Sequence, residues 1–86
     1  MAPRARGIQK SVHSTPQAAF CALLTETRRN AGLTQQDLAD RLERPQSFVA
    51  KYEGGERRID VVEFIVIARA IGTDPVALLR ALVRRI

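Results

Sequence analysis

An all-α bundle of five short helices is what this sequence predicts, and three observations predict it. The chain of 86 residues has room for one small domain around a single core. Its apolar side chains are nearly all aliphatic: 45% of residues are hydrophobic, 5% are aromatic, and Trp is absent. A core of Leu, Ile, Val and Ala suits helices packed on helices. Finally, capping residues and stops recur at helical intervals, with Thr or Asp before apolar-periodic stretches and Gly after them.

Residues Met1 to Ser14 mix Pro, Gly, Arg and Ser without apolar periodicity, which predicts a flexible basic arm over 1–14 and one domain over 15–86. Thr15-Pro16 starts the first helix, Phe20, Leu23, Leu24, Thr27 and Ala31 share one face of it, and Gly32 stops it. Thr34 caps the second helix, Asp37 adds an anion in its first turn, and Leu38, Ala39 and Leu42 form a short apolar face. The third begins near Pro45; Val49 and Tyr52 point inward, Gln46, Ser47, Ala50 and Lys51 outward, and Gly54-Gly55 ends it. The fourth runs from its cap Asp60 to Ile71 and stops at Gly72, with Val61, Phe64, Ile67, Ala68 and Ile71 as its inward stripe. Asp74-Pro75 opens the fifth, which continues to about Arg84 through Val76, Leu79, Leu82 and Val83.

The formal net charge is +5, but the surplus sits at the ends. Arg4, Arg6 and Lys10 precede the domain, Arg80, Arg84 and Arg85 close it, and Ser14 to Leu79 holds eight basic and nine acidic residues. Composition alone therefore does not single out the central domain as a nucleic-acid binder, and basic tails also serve solubility. No apolar run reaches membrane-spanning length and no signal-peptide core is present, which predicts a cytoplasmic protein without a membrane partner. One Cys and one His, Cys21 and His13, make neither a disulfide nor a zinc site within one chain, so no cofactor is expected. Nothing resembles a clustered acid–base pair, a phosphate loop or a Cys-His arrangement, so the chain is not read as an enzyme.

The chemistry concentrates in LTQQDLADRLERPQSFVAKYEGG, from Leu33 to Gly55, where two short helix patterns flank a tight break. A short helix with exposed amides and hydroxyls near its N-terminus fits the major groove of double-stranded DNA and reaches base edges. Gln46, Ser47 and Lys51 share the outward face: the amide suits adenine, the hydroxyl donates or accepts, and the ammonium suits guanine acceptors. Gln35, in the first turn of the second helix, stands where an amide and free backbone N–H groups meet a phosphate. Arg57 and Arg58, in the GGERR loop, and Arg44 are phosphate candidates; a solvated charge run offset by Glu56 is the competing reading. Arg4, Arg6 and Lys10 of the arm would add affinity with little sequence choice.

These residues resemble the phage repressor and Cro-type (XRE-like) helix-turn-helix family of bacterial regulators. The resemblance spans about Leu23 to Leu79 and rests on Arg28, Gly32-Leu33-Thr34-Gln35, Leu38-Ala39, Gln46-Ser47, Val49, Lys51-Tyr52-Glu53-Gly54 and Ala68-Arg69-Ala70-Ile71-Gly72. It implies a five-helix bundle of the lambda-repressor-like type, a third helix in the major groove, and a homodimer of repressor type on operator half-sites. It also implies that Gln46, Ser47 and Lys51 contact bases, that Gln35 supports both a phosphate and the reading helix, and that Arg28 pairs with Glu53. Two residues depart from the pattern. Glu43 stands where the family usually has Gly, so either a non-Gly residue is left-handed there, at about 1 to 2 kcal/mol, or the turn is shaped differently. Phe48 stands where relatives are often small or polar; a ring folded against Tyr52 or a neighbouring helix is favoured over contact with a thymine methyl.

Helix four carries more apolar side chains than one core face uses. Val62, Ile65 and Val66 on its flank, with Leu78, Leu82 and Ile86 on helix five, predict a homodimer interface. The alternative to a DNA-binding regulator is a helix-turn-helix module that binds a protein partner, as antitoxins and coactivators do; the near-neutral core and Glu43 lean that way.

Overall fold

The computed structural model describes residues 15–86. Five helices follow one another in the order α1 (Thr15–Asn30), α2 (Gln35–Leu42), α3 (Gln46–Glu53), α4 (Val61–Ile71) and α5 (Pro75–Arg85), and the described residues contain no strand. The arm residues Arg4, Arg6 and Lys10 lie outside the described residues. Among the described residues no helix is long and apolar enough to cross a membrane.

The boundaries follow from local chemistry. Thr34 and Asp60 each open a helix with a reciprocal capping box: the side chain accepts the N–H of Asp37 or Glu63, and that residue's carboxylate accepts the cap's own N–H. Asp74 accepts the N–H of Val76, and Pro75 presets the first turn of α5. α1, α2 and α4 close with the same left-handed residue, at Gly32, Glu43 and Gly72. After each, the next amide reaches back to a carbonyl of the last helical turn, Leu33 to Arg28, Arg44 to Ala39 and Thr73 to Ala68. At Glu43 (φ 55°, ψ 43°) the left-handed alternative is therefore the one adopted, and a residue with a Cβ carries its strain.

The core gathers Leu24 of α1, Leu38 of α2, Val49 and Tyr52 of α3, and Ile67 of α4, all essentially inaccessible. α2 packs on α3 and α4, α1 on α3 and α5, and α4 on α5. Phe20 and Phe64 meet across α1 and α4 with centroids 5.7 Å apart. Two expectations are corrected. Val61, placed on the inward stripe of α4, is 74% exposed in the helix's first turn, while Phe64, Ile67, Ala68 and Ile71 are buried as expected. In α5 only Leu82 of the expected stripe turns inward, partly buried with Ala81 beside Leu78 at 5% exposure, whereas Val76, Leu79 and Val83 face solvent. Leu78 is thus a core residue of its own chain and cannot line a subunit contact. Both stripes recur at helical spacing, about 100° per residue, so periodicity alone could not choose between them.

Candidate nucleic-acid interface

α2 and α3 meet through a tight turn at Glu43-Arg44-Pro45 and present one side of α3 to solvent. Gln46, Ser47 and Lys51 are exposed there, while Phe48, Val49 and Tyr52 are buried behind them. Pro45 precedes α3 without a side-chain cap, and its carbonyl accepts the Phe48 N–H at 2.9 Å. The phenol of Tyr52 is buried with its hydroxyl unpartnered, and that burial pushes its pKa well up. It contributes its ring rather than its acidity.

The exposed face of α3 is anchored from below. Arg28 of α1 forks onto Glu53 at the end of α3, Nε to Oε2 at 2.7 Å and Nη2 to Oε1 at 3.0 Å, and its Nη1 donates to the Leu33 carbonyl at 2.7 Å. Both side chains are almost fully buried, at 7% and 5% exposure. The hydrogen bonds to Glu53 raise the Arg28 pKa above its ordinary value. Gln35 Nε2 donates to the same Glu53 Oε1 at 3.0 Å, and Gln46 Nε2 donates to Gln35 Oε1 at 2.6 Å. Four residues from three helices thus form a continuous chain from the core to the exposed face. Gln46 keeps its Oε1 and its second Nε2 hydrogen, the acceptor and donor that a bidentate contact with adenine requires. Gln35, expected to support both a phosphate and the reading helix, donates to Glu53 and accepts from Gln46, both on α3.

The phosphate candidates separate. Arg57 is turned inward: Nη2 and Nη1 lie 2.8 and 3.2 Å from the Glu63 carboxylate, Nη1 also donates to the Arg58 carbonyl, and the guanidinium lies 4.7 Å from the Phe48 centroid. Arg44 lies at the same distance over that ring and 3.8 Å from Glu63. Arg58 is exposed. The loop amides close α3: the N–H groups of Gly54, Gly55, Glu56 and Arg57 return to carbonyls of Ala50, Tyr52 and Lys51. Phe48 takes the inward alternative, edge-on to Tyr52 with centroids 5.5 Å apart and 8% exposed. Sequence reasoning missed Glu63 as the centre of this cluster. The capping-box spacing Asp60-x-x-Glu63 was a visible signal, but nothing in it shows that a loop arginine folds back onto the cap.

Two apolar grooves flank α4. One is lined by Leu42, Phe48, Val62, Val66 and Ile67 on the side of α2 and α3, the other by Phe20, Ile59, Val61, Phe64, Leu79 and Leu82 on the side of α1 and α5. Of the residues expected at a subunit contact, Val62, Val66 and Ile86 are exposed, and Ile65 and Leu82 are partly buried against the core.

A family model described as a helix-turn-helix domain matches residues 19–82. An XRE-family like protein from Pseudomonas syringae pv. tomato str. DC3000 is 53% identical, with 85% of this chain and 89% of that one covered and a TM-score of 0.78. The restriction-modification controller protein C.Esp1396I, solved as a tetramer with its natural 35 base-pair operator, is 18% identical over 85% of this chain and 96% of that one, with a TM-score of 0.77, a likeness of fold. No curated protein matches the chain.

Proposed function

The chain belongs to the XRE-like helix-turn-helix family, and from that membership we propose that it is a sequence-specific DNA-binding transcriptional repressor of the cytoplasm, a binding protein and not an enzyme. It binds operator half-sites as a homodimer, with α3 in the major groove. The observation that carries the reading is the chain of contacts that holds Gln46 through Gln35 to the buried Arg28–Glu53 pair, beside the exposed Ser47 and Lys51. An amide fixed in this way loses little freedom on meeting a base, which favours discrimination over simple adhesion. Gln46 reads adenine, Lys51 a guanine edge, and Ser47 a neighbouring base; Arg58 and the arm residues Arg4, Arg6 and Lys10 supply phosphate contacts.

Two half-sites one helical turn apart require reading helices about 34 to 36 Å apart, which a two-fold dimer provides. The exposed stripe of α5, with Val76, Leu79, Val83 and Ile86, and the neighbouring Val61 support a contact on that side of the molecule. Selecting bound duplexes from a random pool, with wild type, Gln46→Ala and Lys51→Ala, tests the assignment. Each variant should lose preference at a different base position; unchanged preference in both would refute base reading by α3.

A partner-binding module of antitoxin type is the second reading, favoured by the pairing of Arg57 and Arg44 with Glu63, which leaves few cations to face phosphate. Duplex binding that weakens steeply with salt supports the first reading; absence of such binding supports the second.

A further inference from the structure

Arg44 and Arg57 border the reading face, and both are turned to one carboxylate. Arg57 forks onto Glu63, and Arg44 Nη2 lies 3.8 Å from the same Oε2 that Arg57 Nη2 holds at 2.8 Å. Glu63 is itself held by main chain. Its Oε1 accepts the Asp60 N–H at 2.9 Å, and its own N–H donates to Asp60 Oδ1 at 2.7 Å. The anion is therefore fixed by the first turn of α4, and the arginines come to it. The Phe48 ring beneath both guanidiniums is locked edge-on against Tyr52. At about 100° per residue, Phe48 lies roughly 60° around α3 from Lys51, so the cluster adjoins the base-reading residues.

A guanidinium that forks onto a carboxylate has the geometry to fork onto a phosphate. A carboxylate fixed between two of them cancels one of their two charges; it takes two donors of Arg57 and holds Arg44, at 3.8 Å, by charge alone. We infer that Glu63 is an internal anion that keeps Arg44 and Arg57 off the DNA backbone and so lowers sequence-independent affinity. The inference rests on the DNA-binding reading above. Its consequence is selectivity: backbone contacts strengthen every site alike, so withholding two of them shifts the balance toward Gln46, Ser47 and Lys51.

The test measures binding to a random-sequence duplex over a salt series for wild type and Glu63→Gln. Glutamine keeps an acceptor for the Asp60 N–H and removes the charge. The expected result is tighter binding and a salt slope steeper by about 0.9 for each phosphate newly contacted, or about a threefold larger loss of affinity between roughly 50 and 200 mM salt per contact. Adding Arg57→Gln to Glu63→Gln should reverse the gain. If Glu63→Gln melts early, Glu63→Asp keeps an anionic cap but falls one methylene short of Arg57, and a smaller gain in the same direction is expected. An unchanged slope, or weaker binding, in a folded variant overturns the inference and leaves the DNA-binding reading standing. Absence of salt-dependent binding by the wild type overturns both.

Discussion

Glu53 is the residue on which the fold and the proposed reading face both depend, because it takes two hydrogen bonds from Arg28 and one from Gln35 while nearly excluded from water. Glu53→Ala leaves the Arg28 guanidinium buried without its anion, and a loss of about 3 to 5 kcal/mol is expected by chemical denaturation. Replacing both partners by apolar residues of similar volume, Arg28→Met with Glu53→Leu, should recover most of that loss, since it is the stranded charge that costs. Glu43 is the opposite case. Its left-handed backbone strains a residue with a Cβ, so Glu43→Gly should stabilise by about 0.5 to 1 kcal/mol after the added entropy of the unfolded chain is counted, read as a higher denaturation midpoint. The pairing of Arg28 with Glu53 and the left-handed option at Glu43 were expected from the resemblance to the helix-turn-helix family, which implies the pair and usually has Gly at the second position, and not from spacing alone. The pairing of Arg57 with Glu63 was not, because ERR reads equally as a solvated loop and only the folded path of that loop selects the partner.

Among the elements, α2 and α4 start alike, with an acidic N3 residue that reaches back to its cap. The main-chain N–H of Thr34, together with its hydroxyl, holds the Asp37 carboxyl below its usual range, and Arg57 together with the Asp60 N–H does the same for Glu63. A carboxyl depressed in the folded state contributes stability above the unfolded value, about 4, and that contribution disappears as pH falls through the folded value. Denaturation midpoints are therefore expected to hold steady down to about pH 5 and to fall below about pH 4, and the fall should be shallower in Glu63→Gln. An equal fall in wild type and variant would show that Glu63 takes no part. Helix starts and stops were legible because capping depends on chemistry within a few residues. Which residues of α5 turn inward was legible only at Leu82, because stripes through Leu78 and through Leu79 both satisfy helical spacing and only the position of α1 and α4 decides.

For the whole molecule, the exposed apolar stripe and the charge distribution set the behaviour. Val61, Val76, Leu79, Val83 and Ile86 are each about half exposed or more, on the side of the molecule formed by α5 and the start of α4. Leu79→Asp should convert a dimer to a monomer in light scattering and weaken operator binding by more than an order of magnitude while leaving half-site preference unchanged, since the stripe lies apart from Gln46, Ser47 and Lys51. A dimeric Leu79→Asp protein would assign the contact to the other flank of α4, where Val62 and Val66 stand. The all-helical class was legible from composition and punctuation; the use of surplus apolar residues was not, since a sequence cannot tell which of two groove walls a second chain covers. The linked side chains from Arg28 to Gln46 have one last consequence, for how such a protein changes over time. Under the proposed base-reading role, drift at Gln46, Ser47 or Lys51 would rewrite the preferred operator with little effect on the fold, while a change at Gln35 would alter both together, so new specificities are expected to arise at the free end of that chain first.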